Sequence, residues 1–270
     1  MLPGMGYEHI EIAVEGRVGW LWLNRPDKRN AMSADMWEDI PSAVDELTAD
    51  DRVRCLVVGG RGASFTAGID LTMLGSFTSE AASHADRSRR IRSEILRLQH
   101  TMSVFERAPV PVIAAVHGHC LGAGIDLITA CDVRFSAPDS TFGIRETAMG
   151  LVADVGTVQR LPRIIGRGHL AELLFTGRDF DAAEAARIGL VNRVVEDVHA
   201  HAAVVAHEIA ENSPLVVRGA KEVLRLQEGM SIEAALEHMA LWNAAFLASN
   251  DIAEAMGAHF EKRPPDFTGT

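Results

Sequence analysis

Cysteine is scarce in this chain of 270 residues: Cys55, Cys120 and Cys131 are the only ones, and none belongs to a CxxC pair. An odd, scattered set argues against a disulfide framework or a structural zinc site and fits a reducing compartment. Lysine is also scarce. Lys28, Lys221 and Lys262 are all there is, so nearly all positive charge is arginine. No apolar run is long enough to span a bilayer, and the first thirty residues lack a basic stretch followed by an apolar one. The terminal Asp266-Phe267-Thr268-Gly269-Thr270 is not a peroxisomal address. The expectation is a soluble, cytoplasmic protein. Basic residues are outnumbered, 26 against 37 acidic, for a formal net charge of -11. That balance argues against nucleic acid or an anionic membrane as partner, and a polyanionic ligand needs a local basic patch.

What is abundant is apolar surface. Hydrophobic residues make up 47% and charged residues 23%, enough for a sizeable core and against disorder or a coiled coil. Tyr7 to Val14 and Val18 to Leu23 read as paired strands around the turn Glu15-Gly16-Arg17. Ser33 caps a helix through Leu47 that Pro41 should kink. Arg54 to Val58 and Val110 to Val116 read as buried strands of the parallel kind, with an arginine-rich helix over 84–107 between them. Ala123 to Ala130 reads as a short helix, and Val133 to Ser136 and Thr141 to Gly143 as short strands. Strand–turn–helix units in series imply β-α-β crossovers. From about residue 197 the pattern is helical, over 197–212, 214–228, 231–248 and 250–260. The expected division is an α/β core over 1–195 that holds the functional site and a helical region over 196–270.

Four constellations carry chemistry. The turn Gly118-His119-Cys120-Leu121-Gly122-Ala123-Gly124 opens a helix, whose free N–H groups favour negative charge. It also has the spacing of a hydrolase elbow with Cys120 as nucleophile, but no acid and histidine are singled out to complete a triad, and Cys120 reads rather as a small buried filler. The loop from Gly62 to Leu71 is rich in small residues and offers a second inward-facing backbone donor, or is a plain surface connection. Asp126 is flanked by Ile125 and Leu127, Glu146 follows a strand, and Asp154 sits in a mostly small and apolar run, settings in which burial raises carboxyl pKa values toward the range useful for proton transfer. The structural alternatives are capping of backbone by Asp126, pairing of Glu146 with Arg145 or Arg160, and an N-cap by Asp154 on a helix over 155–161. Finally, Arg25, Lys28 and Arg29 cluster in one loop, and Lys262 and Arg263 near the end. They are suited to phosphates, or are a solvated face. His199, His201 and His207 share one helix but make no convincing metal site.

Taken together the chain resembles the crotonase, or enoyl-CoA hydratase/isomerase, superfamily. The resemblance is carried by Leu23-Asn24-Arg25-Pro26 with Asn30-Ala31, by Ala67-Gly68-Ile69-Asp70-Leu71, by the stretch from His117-Gly118 to Cys131-Asp132, by Gly156-Thr157-Val158-Gln159-Arg160-Leu161-Pro162 and by Glu261-Lys262-Arg263-Pro264-Pro265. It implies an α/β core of stacked β-β-α turns and a helical C-terminal region that builds a homotrimer, often paired into a homohexamer. It further implies an acyl-CoA thioester as substrate, with no separate cofactor and no metal. The thioester oxygen would lie between the N–H groups of Ile69 and Ala123. Ala31, Ala67 and Leu71 would line the adenine and pantetheine path, with Gly68, Asp70 and Gly122 beside them. Lys28 and Arg29 would approach the phosphates, and Lys262 a neighbouring subunit's ligand.

The acids refine the resemblance. Hydratases of the family have glutamates at the positions of Asp126 and Glu146 and glycine at that of Asp154. A shortened first acid and an added third one resemble the Δ3,5-Δ2,4-dienoyl-CoA isomerase branch, with spacings of 20 and 8 residues along the chain. That implies Glu146 as base at C2, Asp154 as acid at C6 and Asp126 as the residue that tunes Glu146. A 2-enoyl-CoA hydratase and a non-catalytic acyl-CoA binder are the alternatives.

Overall fold

A computed structural model describes residues 6–78 and 83–270. The chain opens with an antiparallel pair, β1 (Ile10–Glu15) and β2 (Val18–Leu23), and then turns to parallel pairing through β3 (Cys55–Gly60), β4 (Val112–Val116), β6 (Val133–Ser136) and β9 (Arg193–Val194). These six strands form one sheet in the order β1-β2-β3-β4-β6-β9. A small second sheet holds β5 (His119–Leu121), β7 (Thr141–Gly143) and β8 (Asp179–Asp181).

The parallel strands are apolar on both sides because both faces are covered. Leu21, Leu23, Leu56, Val58, Ala114 and Val116 point into the larger core with α1 (Ala34–Ala49) and α2 (His84–Arg107). The alternate residues Trp20, Trp22, Cys55, Val57, Ile113 and Ala115 pack on α7 (Val198–Ala210) through Val198, Ala202 and Ala206. Small residues four apart on α7 let it lie close to the two stacked tryptophans. Chain beyond residue 195 therefore supplies the cover for one face of the sheet.

Pro41 lies inside α1, which continues through it. A proline has no N–H to give the carbonyl four residues earlier. That carbonyl, on Trp37, is taken by the Thr101 hydroxyl of α2 at 2.8 Å. The break in the ladder thus becomes a link between the two helices. Two shorter helices, α5 (Arg167–Thr176) and α6 (Ala182–Arg187), precede α7, and α8 (Pro214–Leu226), α9 (Ile232–Phe246) and α10 (Asn250–Glu261) close the chain. Lys221 of α8 is buried and donates to the carbonyls of Phe105 and Val110, with the Asp132 carboxylate at 2.7 Å, which pins α8 to the core.

Candidate active site

Two loops meet above the ends of β3 and β4. The loop after β3 is held from below by Asn30. Its amide donates to the Arg61 and Ser64 carbonyls at 2.9 and 2.7 Å, and its side-chain oxygen accepts from the Arg25 N–H at 2.7 Å. Asn30 does this at φ +55, a left-handed conformation that asparagine tolerates better than most. Asp70 ends the loop with its carboxylate on Arg25 at 2.6 Å and on the Thr72 N–H and hydroxyl. Those donors pull its carboxyl down to about 2. Gly68, at φ +94, lies against the second loop: a Cβ there would stand 2.7 Å from the Leu121 oxygen and 3.5 Å from the Ala123 nitrogen. A glycine at 68 is what lets the loop that carries Ile69 lie this close to the turn that carries Ala123. Among the described residues neither donates a hydrogen bond within the protein.

Ala123 opens α3 (Ala123–Thr129), whose N-cap Gly122 takes φ +51. A Cβ on Gly122 would sit 3.5 Å from Glu146 Oε1, so the Glu146 carboxyl lies directly against this turn. The two donors, Gly122 and all three acids border one cavity of about 880 Å³, within the usual range for a small-molecule site. Its apolar walls include Trp37 and, from successive turns of α2, Ile91, Ile95 and Leu98.

Each acid is held differently. Asp126 is 1% exposed. One of its oxygens accepts from both the N–H and the hydroxyl of Thr157, at 2.6 and 2.8 Å. Burial and the Glu146 charge nevertheless raise its carboxyl to about 7, against the pull of Thr157 and Arg160. Asp126 thereby caps backbone, but on α4 (Thr157–Ile165) rather than on its own helix. Glu146 is raised by burial and then by the charge of Asp154. Its Oε2 is buried without a hydrogen-bond partner. Neither cation considered for it is paired with it: Arg145 bonds Asp179 at 2.6 Å and Arg160 bonds Glu106 at 2.8 Å. Asp154 is raised by burial. It is not the N-cap of α4, which begins at Thr157 with Gly156 before it. Cys120 is fully buried, and burial pushes its thiol far up, which removes it as a nucleophile.

The set of oxygen acids, free amides and apolar walls suits proton transfer on a carbonyl compound whose oxygen becomes negative. A family model described as enoyl-CoA hydratase/isomerase matches residues 14–270. The chain belongs to the enoyl-CoA hydratase/isomerase family. Within that family it is 38% identical to the peroxisomal Delta(3,5)-Delta(2,4)-dienoyl-CoA isomerase of Arabidopsis thaliana, over 97% of each chain. It is 41% identical to the mitochondrial protein of the same description from Mus musculus, over 95% of this chain and 81% of that one. Its fold matches the crystal structure of an enoyl-CoA hydratase from Bacillus anthracis with a TM-score of 0.89 and 30% identity, over 97% of this chain and all of the other.

For this member of the enoyl-CoA hydratase/isomerase family, Lys28, Ala31, Ala67, Asp70 and Leu71 also border the cavity, whereas Arg29 and Lys262 do not. Arg29 contributes its backbone carbonyl, which accepts from the Ala67 N–H at 2.9 Å. Lys262 ends α10 in a left-handed conformation on the exposed surface. Sequence reading passed over Thr157, Trp37 and the cavity side of α2. Only the apolar spacing 91, 95, 98 hinted at the last.

Proposed function

We propose that this chain converts 3,5-dienoyl-CoA thioesters into 2,4-dienoyl-CoA thioesters. The carrying observation is that the carboxyls of Asp126, Glu146 and Asp154 border the same cavity as the two unused amides of Ile69 and Ala123. The relatives named dienoyl-CoA isomerase support the same reading.

The thioester oxygen lies between the two N–H groups, which puts C2 beside Gly122 and hence beside Glu146. Glu146 removes a proton from C2. The electron pair delocalises onto the thioester oxygen on one side and through the diene to C6 on the other, giving an extended dienolate whose oxygen the two amides stabilise. Removing one such donor typically costs about 10² to 10³ in rate. Asp154 then delivers its proton to C6, and the double bonds settle at C2 and C4. One proton leaves carbon and one arrives, so the substrate is isomerised without gain or loss. Glu146 ends protonated and Asp154 ionised, and proton exchange restores the starting form. Asp126, its carboxyl raised to about 7, holds a proton in about half of the molecules at neutral pH, and in those it adds no negative charge beside Glu146. Apolar walls keep bulk water from the dienolate.

The test is the purified protein on a synthetic 3,5-dienoyl-CoA, followed by the absorbance of the conjugated product, beside a 2-enoyl-CoA control. Asp154→Asn is expected to lower isomerisation at least about 10²-fold, as loss of a general acid does. Near-wild-type isomerisation by Asp154→Asn overturns the assignment. Hydration of the 2-enoyl ester without isomerisation makes the chain a hydratase. Binding without either reaction makes it a carrier.

We further propose that the chain works as a homotrimer or larger assembly. α9 has no buried residue, and Ile232, Leu236, Leu241 and Phe260 are each more than 60% exposed in the single chain. Large apolar side chains left open in that number call for cover.

A further inference from the structure

Asp154 lies in an irregular segment, 151–156, between a short turn and α4. Nothing in its local sequence makes that segment rigid. Gly156 adopts φ +140, which only glycine accepts readily. A proton donor must nonetheless be held to within about half an ångström to be useful.

The rigidity comes from α2. Gln99, Ser103 and Glu106 follow one another at spacings of four and three, so they share one side of that helix. The Gln99 amide donates to the backbone carbonyl of Asp154 at 2.6 Å. Glu106 accepts from Arg160 Nε at 3.0 Å and Nη2 at 2.8 Å, and the Ser103 hydroxyl oxygen accepts from the same Nη2 at 2.9 Å. The Ser103 hydroxyl in turn donates to the Gln99 carbonyl at 2.7 Å. Arg160 Nη1 points back at the Val155 carbonyl at 3.5 Å and fills the space that a Cβ on Gly156 would take. Three consecutive residues are thus fastened to one helix, Asp154 directly and the next two through Arg160.

The manner of fastening differs from that of Asp126, whose carboxyl is itself bonded by Thr157. Donors on a carboxylate favour its charged form and weaken it as an acid. Holding Asp154 by its carbonyl leaves its side chain free to carry and release a proton. We propose that Gln99 is a positioning residue that aims Asp154 at the distal carbon of the acyl chain, with Ser103, Glu106 and Arg160 as its brace. The inference rests on the isomerase reading above.

The measurement is a ratio. The 3,5-dienoyl-CoA is incubated in deuterated water, and mass spectrometry compares label entering C2 of recovered substrate with formation of the 2,4-product. Gln99→Met keeps the length of the side chain and loses the donor. It is expected to lower kcat for isomerisation five- to fiftyfold, with KM and C2 exchange within twofold of wild type. Gln99→His, a neutral donor at pH 8, is expected to restore most of the loss. A ratio of exchange to product unchanged in Gln99→Met overturns the inference, as does an equal fall in both. If Gln99→Met does not fold, Ser103→Ala reads the same ratio, with a smaller shift expected and an unchanged ratio again decisive against it. Failure of the isomerase reading is told apart by Asp154→Asn: if that variant isomerises normally, Asp154 has no role for Gln99 to support.

Discussion

Asp126 shows what a single side chain costs and contributes. It is fully enclosed, and enclosure with the nearby Glu146 charge lifts its carboxyl to about 7. Thr157 spends two donors on one of its oxygens and lowers the cost without cancelling it. An acid with a folded-state pKa above its unfolded value near 4 binds its proton more tightly when folded. Stability is therefore greatest at low pH, with respect to this group, and falls as pH rises between about 4 and about 7. At pH 8 the penalty is about 2–4 kcal/mol by that linkage. Asp126→Asn, which keeps an oxygen for Thr157, is expected to be the more stable protein in urea at pH 8 and to lose its advantage below about pH 4. An advantage equal at both pH values would show that folding does not shift the Asp126 carboxyl. The same substitution is expected to shift the pH dependence of isomerisation, since it fixes the charge beside Glu146.

At the scale of elements, the loop after β3 and the turn before α3 act as one device. The Asn30 staple, the Arg25–Asp70 pair and the bare Cα of Gly68 turn two backbone amides toward one cavity, so the donors themselves are main-chain groups. Gly68→Ala tests it. At φ +94 alanine is strained by about 1–3 kcal/mol, and its methyl would meet the Leu121 oxygen at 2.7 Å. The loops must part. Isomerase kcat is expected to fall about 10²-fold or more while the protein still melts cooperatively. Retention of full kcat would remove the amide pair from the mechanism. α2 works on both sides of this device. Its apolar residues wall the cavity, and its polar side grips the segment that bears Asp154.

For the whole molecule, the single chain leaves many apolar side chains of α9 and α10 uncovered, Ile232, Leu236, Leu241, Met256 and Phe260 among them. Light scattering is expected to give a mass at least three times 29.2 kDa. Leu236→Glu puts a charge among these side chains and is expected to shift the mass toward one chain. A monomeric wild type would overturn the proposed assembly. α7 belongs with the sheet rather than with these helices, since Ala202 and Ala206 are packed against its tryptophan face.

The order of strands and helices was legible in the sequence, because period-two and period-3.6 patterns follow from burying one face of each element. Glycine positions were legible for a similar reason: a tight turn needs a residue without a Cβ. Family membership could be read too, since its motifs recur in order along nearly the whole chain. What each acid touches could not be read. Asp126 meets Thr157 thirty-one residues away, Glu146 meets the turn at Gly122, and Asp154 is fastened to a helix fifty-five residues earlier. Local pattern records which face of an element is buried. It carries nothing about which distant carboxyl or amide shares that burial, and those neighbours set the charge and aim of each acid.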